Sequence, residues 1–184
     1  MLGIWLIVAA VVVLAIYVIY VFNKLVRTKN RVNNAWSQID VQLRRRYDLI
    51  PNLVETVKGY AAHERETFEA VTNARVAAQK AQGPAEAAQA EGILSQALGR
   101  LFAVAEAYPE LRATENFQQL QAQLADTENK VAVSRQVYND TVLTYHNAIQ
   151  TFPGTLLAGP FGFTKREFFE VEDTAQREAP SVDF

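Results

Sequence analysis

Three consecutive arginines, Arg44–Arg46, lie in a stretch that otherwise has the pattern of an amphipathic helix. Clustered guanidinium groups bind phosphate, lipid headgroups or partner carboxylates through charge-assisted hydrogen bonds. We favour the simpler interpretation of a solvated helix face, because Asp40 and Asp48 lie four residues to either side of Arg44 and can pair with it. Arg46 falls on the apolar stripe of the helix. We expect its stem to pack and its guanidinium to reach an acid on another helix.

Residue types that support catalysis or metal binding are scarce in this chain. There is no cysteine, which excludes disulfides, thiolate zinc sites and cysteine nucleophiles. His63-Glu64 does not continue into an HExxH zinc motif, because position 67 is Thr67, and no Glu precedes His63 or His146 by three residues. Ser37, Ser95 and Ser134 lie in helical patterns, and the sequence has no glycine-rich phosphate loop. We therefore predict that the protein is not an enzyme and has no catalytic residue, cofactor or metal.

The overall composition favours a helical protein. The 184 residues include 18 basic and 20 acidic side chains, for a net charge of −2. A nucleic-acid-binding domain normally shows a basic face and a high isoelectric point, so we expect no nucleic-acid partner. Ala, Leu, Gln, Glu and Arg dominate the middle of the chain, and these residues favour helices over strands.

The first predicted element of the chain is an uncharged apolar run, Ile4–Phe22. At about 1.5 Å per residue this run spans roughly 28 Å, close to the thickness of a bilayer hydrocarbon core. The alternative of a secretory signal peptide is disfavoured, because the run is long, no charged region precedes it and no small-x-small cleavage site follows it. We predict a transmembrane anchor over residues 1–23 and expect contact with membrane lipid.

Basic residues follow the anchor directly and predict its orientation. No acid occurs before Asp40, so the positive-inside rule places the bundle in the cytoplasm and the N-terminus outside. The alternative topology, with the bundle on the outer or periplasmic side, stays open. The candidate residues for contact with headgroups or partners are the juxtamembrane bases and, as the alternative to a solvated face, two of the clustered arginines: Lys24, Arg27, Lys29, Arg31, Arg44 and Arg45.

Residues 24–154 have the heptad-like pattern of an all-α antiparallel bundle of long, coiled-coil-like helices. Gly83-Pro84 and Pro109 break the pattern, so we expect one helix to about Ala81, a second to about Tyr108 and a third to Phe152. The third helix has large apolar residues at one heptad position: Phe117, Leu124, Val131, Tyr138, Tyr145 and Phe152. Residues 155–184 form a tail whose phenylalanine-rich first part should dock on the bundle and whose polar end should be partly disordered.

Pro51 lies inside the first predicted helix, where its ring crowds the carbonyl of Tyr47 and its nitrogen has no hydrogen to donate. Two interpretations follow. Either the helix kinks between Tyr47 and Pro51 and continues, which gives three long helices, or it ends there, Asp48 caps a new helix and the bundle has four. The heptad register passes through Ile50 and Leu53 without a slip, which favours the kink.

Several motifs resemble the LemA family, a group of bacterial single-pass membrane proteins. They read "NNAWSQIDVQLRRRYDLIPNLVETVKGYAAHERETFE", "AVAEAYPELRATENFQQLQAQLADTENKVAVSRQVYND", "YHNAIQTFPGTLLAGPFGF" and "FFE". The resemblance covers nearly the whole chain. It implies a membrane anchor followed by an antiparallel helical bundle, usually cytoplasmic, and it implies no catalytic residue.

Two functional hypotheses follow from the anchor, the heptads and the scarcity of reactive groups. The first is a membrane-anchored helical scaffold that self-associates into a homo-oligomer and organises partners or membrane at its surface. The second is an adaptor or regulator of a membrane enzyme, such as a protease or a signalling kinase. In the second case another membrane protein would dock on the phenylalanine-rich tail or on the stretch from Tyr47 to Val54.

Overall fold

The computed structural model describes residues 1–170 and confirms the predicted all-α class, with no strand among those residues. Residues 171–184, which include the polar end predicted to be disordered, lie outside the described residues. The helices of the described chain are α1 Leu2–Lys58, α2 Arg65–Lys80, α3 Gly83–Glu106, α4 Pro109–Arg112, α5 Glu115–Gln150 and α6 Gly154–Ala158.

The contacts divide the chain into two units. The first, the N-terminal unit, consists of Met1–Gln38 and Gln136–Arg166. The second, the bundle unit, consists of Ile39–Arg135 and, among the described residues, 167–170. Both α1 and α5 contribute to the two units.

Burial along α1 changes abruptly in the N-terminal unit. Every residue from Met1 to Tyr20 is exposed, although most are Val, Leu, Ile or aromatic, and burial begins at Val21. Among the described helices, α1 is the one that is long and apolar enough to cross a membrane. None of the residues in its most apolar stretch is buried. A core helix of a soluble protein would bury most of such a segment, so burial argues against that alternative.

The buried part of α1 in this unit packs against α5 and α6 in an antiparallel arrangement. Trp36 lies beside Tyr138, with ring centroids 5.6 Å apart, and Leu25 lies beside Gly154. As the residue number falls along α1, it rises on the opposing segment, which fixes the antiparallel direction.

The heptad predicted for the third long helix is confirmed along α5 with one exception. Its large members from Phe117 to Tyr145 are buried, and Thr127, at the small-residue position, is fully buried among them. Phe152 is the exception, with 75% of its surface exposed. α5 ends at Gln150, and the chain turns at Phe152 and Pro153, so Phe152 leaves the helical register that would have turned it inward.

The alternative in which the first helix ends at Pro51 is wrong, because α1 runs through Pro51 to Lys58. The favoured prediction, a helix that passes Pro51 and continues to about Ala81, is only partly correct. The helix passes Pro51 but is broken between Lys58 and Arg65. Gly59 begins this break, and glycine destabilises a helix by about 1 kcal/mol relative to alanine. The break folds α2 back along α1 and buries Phe68 and Val71.

At Pro51, a side chain from α2 satisfies the α1 carbonyl that the proline leaves without its usual donor. A proline donates no hydrogen bond to the carbonyl four residues earlier, which here is the carbonyl of Tyr47. Arg75 of α2 donates its Nε hydrogen to that carbonyl over 2.7 Å. A buried carbonyl left without a donor is costly, so the guanidinium replaces the backbone donor that proline lacks.

The predicted break at Gly83-Pro84 is confirmed. Gly83 has φ +82°, a left-handed conformation that glycine adopts without steric cost, and Pro84 occupies the first turn of α3. α3 buries the face that carries Leu94, Leu98 and Leu101. Across the same unit, Phe102 of α3 meets Phe117 of α5 with ring centroids 6.4 Å apart.

A glycine at position 154 is required for close packing in the N-terminal unit. A Cβ atom there would overlap the backbone carbonyl oxygen of Ala148 and touch Leu25. We therefore expect Gly154→Ala to lower the free energy of unfolding by about 1–3 kcal/mol, the usual range for overpacking. Thermal unfolding in mild detergent, followed by circular dichroism, measures the change.

The matched control for this substitution is Gly99→Ala in α3, where a Cβ would meet no atom within 4 Å. Alanine has the higher helix propensity, so this control should stabilise the protein by up to about 1 kcal/mol. Equal effects at the two glycines would contradict the packing argument.

The hydrogen bond from Arg75 to Tyr47 makes a second prediction, a coupling between Arg75 and Pro51. Arg75→Met removes the donor but keeps a long side chain, and it should cost about 1 kcal/mol, the low end of the range for an unsatisfied acceptor, because this hydrogen bond is only partly buried. In a Pro51→Ala background the loss should be smaller, because the introduced alanine supplies a backbone donor to the same carbonyl. Unfolding midpoints of the four proteins measure the coupling, and equal losses in the two backgrounds would refute it.

Candidate functional site

Four side chains form a buried charge cluster in the bundle unit: Arg46 and Tyr47 of α1, and Glu91 and Ser95 of α3. The Arg46 guanidinium donates from Nη1 to Glu91 Oε2 over 2.7 Å and from Nη2 to Ser95 Oγ over 3.0 Å. The Tyr47 hydroxyl donates to Glu91 Oε1 over 2.6 Å. Both carboxylate oxygens of Glu91 therefore accept a hydrogen bond from α1.

Helix geometry explains how these groups meet. Glu91 and Ser95 are four residues apart on α3, so they share one face, and Leu94 and Leu98 extend the buried side of the same helix. On α1, Arg46 and Tyr47 lie between the buried Leu43 and Ile50. The apolar residues on either side dock the two helices, and this docking carries the polar groups into the interior.

The electrostatics of the cluster depend on its burial. The side chains of Arg46 and Glu91 are only 6% and 4% exposed. Burial, reinforced by the neighbouring Glu91 carboxylate, raises the pKa of the Tyr47 hydroxyl far above its usual value. Tyr47 therefore stays protonated and acts as a hydrogen-bond donor to the carboxylate, so the glutamate charge is balanced by one cation and one neutral donor.

A cavity of about 330 Å³ opens beside the cluster and is lined by Arg46, Glu91, Glu128, Arg135 and Phe169, among others. Its buried polar groups are occupied with one another: Ser95 accepts from Arg46, and Glu91 accepts from Arg46 and Tyr47. The serine oxygen therefore accepts a hydrogen bond from a cation, whereas an activated nucleophile donates its proton to a base. Among residues 1–170, no three His, Asp or Glu side chains converge as metal ligands.

The prediction that Arg46 reaches an acid on another helix is confirmed by its pairing with Glu91. Arg44 and Arg45 are exposed, and Arg44 pairs with Asp40 over 2.9 Å on the helix surface. The pairing of Arg44 with Asp48 that the spacing also allowed is not seen. The three arginines thus separate, because successive residues of a helix point in different directions.

The juxtamembrane bases lie on α1 in the N-terminal unit. Lys24, Arg27 and Arg31 are exposed. Lys29 is half-buried, with its Nζ 5.8 Å from the centroid of the Phe163 ring, a distance suited to a cation–π interaction. Contact of these four residues, and of Arg44 and Arg45, with headgroups or partners stays a prediction.

Sequence analysis missed Glu91 and Arg75 as partners of the Arg44–Arg46 stretch. A signal for Glu91 was present, because it lies three residues before Leu94 and four before Ser95, on the apolar side of the predicted second helix. Arg75 had no such signal. Its partner is a backbone carbonyl, and the pairing exists only because α2 folds back along α1.

Comparison with known proteins identifies the family of this chain. The profile of the LemA family matches residues 35–184, which is most of the chain. The chain belongs to the LemA family. The match begins after the apolar segment and the juxtamembrane bases, and it includes Arg46, Tyr47, Glu91 and Ser95.

Among individual relatives, this LemA-family chain is 27% identical over 175 residues to Magnetosome protein MamQ 2 of Paramagnetospirillum magneticum, covering 81% of this chain and 64% of the relative. It is 28% identical over 159 residues to Magnetosome protein MamQ of Magnetospirillum gryphiswaldense, covering 72% and 58%. It is 26% identical over 142 residues to Protein LemA of Metamycoplasma hominis, covering 74% and 64%. The chain thus spans less than two thirds of each relative's length.

The buried charge cluster predicts a large asymmetry between single and double substitutions. Glu91→Gln keeps an acceptor for Tyr47 but leaves Arg46 as an uncompensated buried charge, and it should cost about 3–5 kcal/mol. Adding Arg46→Met should recover most of that loss, because the double variant buries no charge. Denaturant unfolding in mild detergent measures both.

The control is Asp126→Asn, which removes an ion pair with Lys130 of the same 2.7 Å length but on the surface. It should change the unfolding midpoint little, because solvent screens exposed pairs. A Glu91→Gln protein as stable as the unsubstituted chain would show that the buried pair does not hold α1 against α3.

Proposed function

We propose that this LemA-family protein is a membrane-anchored helical scaffold that self-associates and organises partners or membrane at its surface, with its bundle in the cytoplasm. Support for the anchor comes from the apolar start of α1. Residues 2–20 expose Val, Leu, Ile and aromatic side chains on all sides of one helix, a surface that suits lipid and not water.

Support for a structural role comes from the continuity of α1. The same helix that carries the apolar segment continues to Lys58 and carries Arg46 and Tyr47 into the buried charge cluster. The apolar segment and these two residues therefore belong to one continuous element, with no loop between them. The polar groups inside the bundle unit hold helices together, and this favours a scaffold over a catalyst.

Self-association is proposed from the exposed apolar segment. Within the described chain, residues 2–20 are not buried by any other element. A single helix in a bilayer associates with others through close van der Waals packing, and lateral contact between copies would gather several bundles at one place on the membrane. The magnetosome names of two relatives are compatible with such a role here.

The adaptor hypothesis loses part of its support. Tyr47, Ile50 and Leu53 are buried, as are Phe163 and Phe169 of the phenylalanine-rich segment. Apolar side chains already used in internal packing are not available to a partner. A regulator would have to dock on the exposed members of the tail, such as Leu156 and Phe161, or on other surfaces of the protein.

Two measurements test the scaffold proposal. In mild detergent, the mass of the purified protein should be a multiple of the 20.6 kDa chain, and a monomer at micromolar concentration would count against self-association. In cells, alkaline extraction should leave the protein in the membrane pellet, and the variant Val11→Arg/Leu14→Arg should release it, because each arginine costs about 2.5–3.5 kcal/mol at mid-span.

Crosslinking in cells separates the two hypotheses, and protease protection tests the orientation. A scaffold should crosslink mainly to copies of itself. An adaptor should crosslink to one dominant foreign membrane protein. Protection of the bundle in intact cells, and its digestion in inside-out vesicles, would support the cytoplasmic orientation. Digestion of the bundle in cells with a permeable outer layer would instead place it on the outer side of the membrane.

A further inference from the structure

The N-terminal unit has a second apolar surface beside the end of the apolar segment. Three large side chains form this juxtamembrane patch: Phe152, Leu156 and Phe161, which are 75%, 63% and 57% exposed. They come from the turn after α5, from α6 and from the turn after α6.

One ring contact and a shared cavity place the juxtamembrane patch beside the last turns of the apolar segment. The Phe161 ring lies 4.9 Å from the ring of Phe22 in an edge-to-face arrangement. Phe152 and Pro153 line a cavity of about 130 Å³ together with Tyr17 and Tyr20. If Ile4–Phe22 crosses a hydrocarbon core of about 30 Å, these contacts put the patch at the edge of that core.

The pattern of burial on α6 is the reverse of that expected for a helix that faces water. Its small residues, Gly154 and Ala158, are buried, while Leu156 between them is exposed. Gly154 packs against Leu25 of α1 and the Ala148 backbone. The helix thus uses small residues to approach α1 closely and exposes Leu156, one of its two leucines, as at surfaces that face lipid, while Leu157 is half-buried.

Other contacts hold this segment firmly on α1. Phe163 is buried between Phe22, at 5.8 Å between ring centroids, and Lys29, whose Nζ lies 5.8 Å from the ring. The Tyr145 hydroxyl donates to the Thr164 carbonyl over 3.0 Å. The exposure of Phe161 is therefore a property of an anchored segment whose neighbour Phe163 is fully packed.

Charge in the N-terminal unit matches an anionic membrane surface. The unit contains six Lys or Arg residues and one acid, Asp140, while the rest of the chain has 12 basic and 19 acidic residues. Lys24, which lines the same cavity as Phe152, and Arg27 follow the patch along α1. Basic groups beside an apolar surface are the combination that binds the interface of an anionic bilayer.

We propose that the juxtamembrane patch inserts into the headgroup–acyl boundary of the same leaflet from which α1 emerges, so that the protein holds the membrane both by a span and by an interfacial surface. This inference rests on the membrane anchoring in the proposed function, and it names the lipid interface as the occupant of the patch. Two attachments on different elements of one unit would restrict tilting of the N-terminal unit relative to the membrane.

The absence of cysteine makes the test direct, because a single introduced cysteine is the only site for a thiol-reactive nitroxide. The full chain would be labelled in turn at Phe152→Cys, Leu156→Cys and Phe161→Cys. Each protein would be placed, one copy per disc, in nanodiscs of phosphatidylcholine and phosphatidylglycerol. Relative access of oxygen and of a water-soluble nickel complex to the label reports immersion depth.

Two further positions calibrate the measurement. Val12→Cys lies in the middle of the apolar segment and should be deeply immersed. Val137→Cys is an exposed apolar position in the same unit, 13 residues before the end of α5 and so about 20 Å from it along the helix. This label should be freely accessible to nickel.

We expect labels at the three patch positions to lie within about 5–10 Å of the headgroup–acyl boundary, the depth typical of interfacial surfaces. Nickel access equal to that at Val137→Cys would overturn the inference. Low access to both oxygen and nickel would also overturn it, because a protein surface and not lipid would then cover the patch. If Val12→Cys is itself accessible to nickel, the anchor fails; if only the patch labels are, the interfacial surface fails and the anchor stands.

Discussion

The guanidinium of Arg75 provides the hydrogen bond that Pro51 cannot, and we expect the continuity of α1 past Pro51 to depend on this contact. A proline in a helix removes one backbone donor and crowds the previous turn. The chain satisfies the orphaned Tyr47 carbonyl from a neighbouring helix, and this allows α1 to continue from an apolar segment through to Lys58 as one element. The same turn of α1 carries Arg46 and Tyr47, so the hydrogen bond from Arg75 to the Tyr47 carbonyl lies next to the buried charge cluster.

The buried charge cluster adds specificity to this arrangement. Removing Arg46 and Glu91 from water is costly, and their attraction offsets the cost only when every partner is in place. The cluster meets that condition: Glu91 accepts from Arg46 and Tyr47, and Arg46 also reaches Ser95. A slip of α3 along α1 by one turn would separate these groups. The apolar contacts alone would discriminate less sharply between such registers.

The two units differ in where they place large apolar side chains. In the bundle unit, large side chains such as Leu94 and Phe117 face inward, as water requires. In the N-terminal unit, the apolar segment and the juxtamembrane patch of Phe152, Leu156 and Phe161 face outward, and the surrounding charges are almost all positive. The LemA-family match starts at residue 35, so it excludes the apolar segment but includes the turn and short helix that form the patch.

Local pattern in the sequence determined most of the helical architecture of this protein. Ile4–Phe22, the breaks at Gly83-Pro84 and Pro109 and the α5 heptad from Phe117 to Tyr145 were readable because each depends on residues close in the chain. Tertiary structure alone decided the end of α1 at Lys58, the partners Glu91 and Arg75, and the exposure of Phe152. Each of these depends on which distant helix comes to lie beside a residue: the α1–α2 hairpin brings Arg75 to the Tyr47 carbonyl, and the turn at Pro153 takes Phe152 off the buried stripe. Periodicity along one helix placed Arg46 and Glu91 on the apolar sides of their helices but did not pair them, because a hydrogen bond or a packing contact is decided by distance in space and not by spacing in the chain.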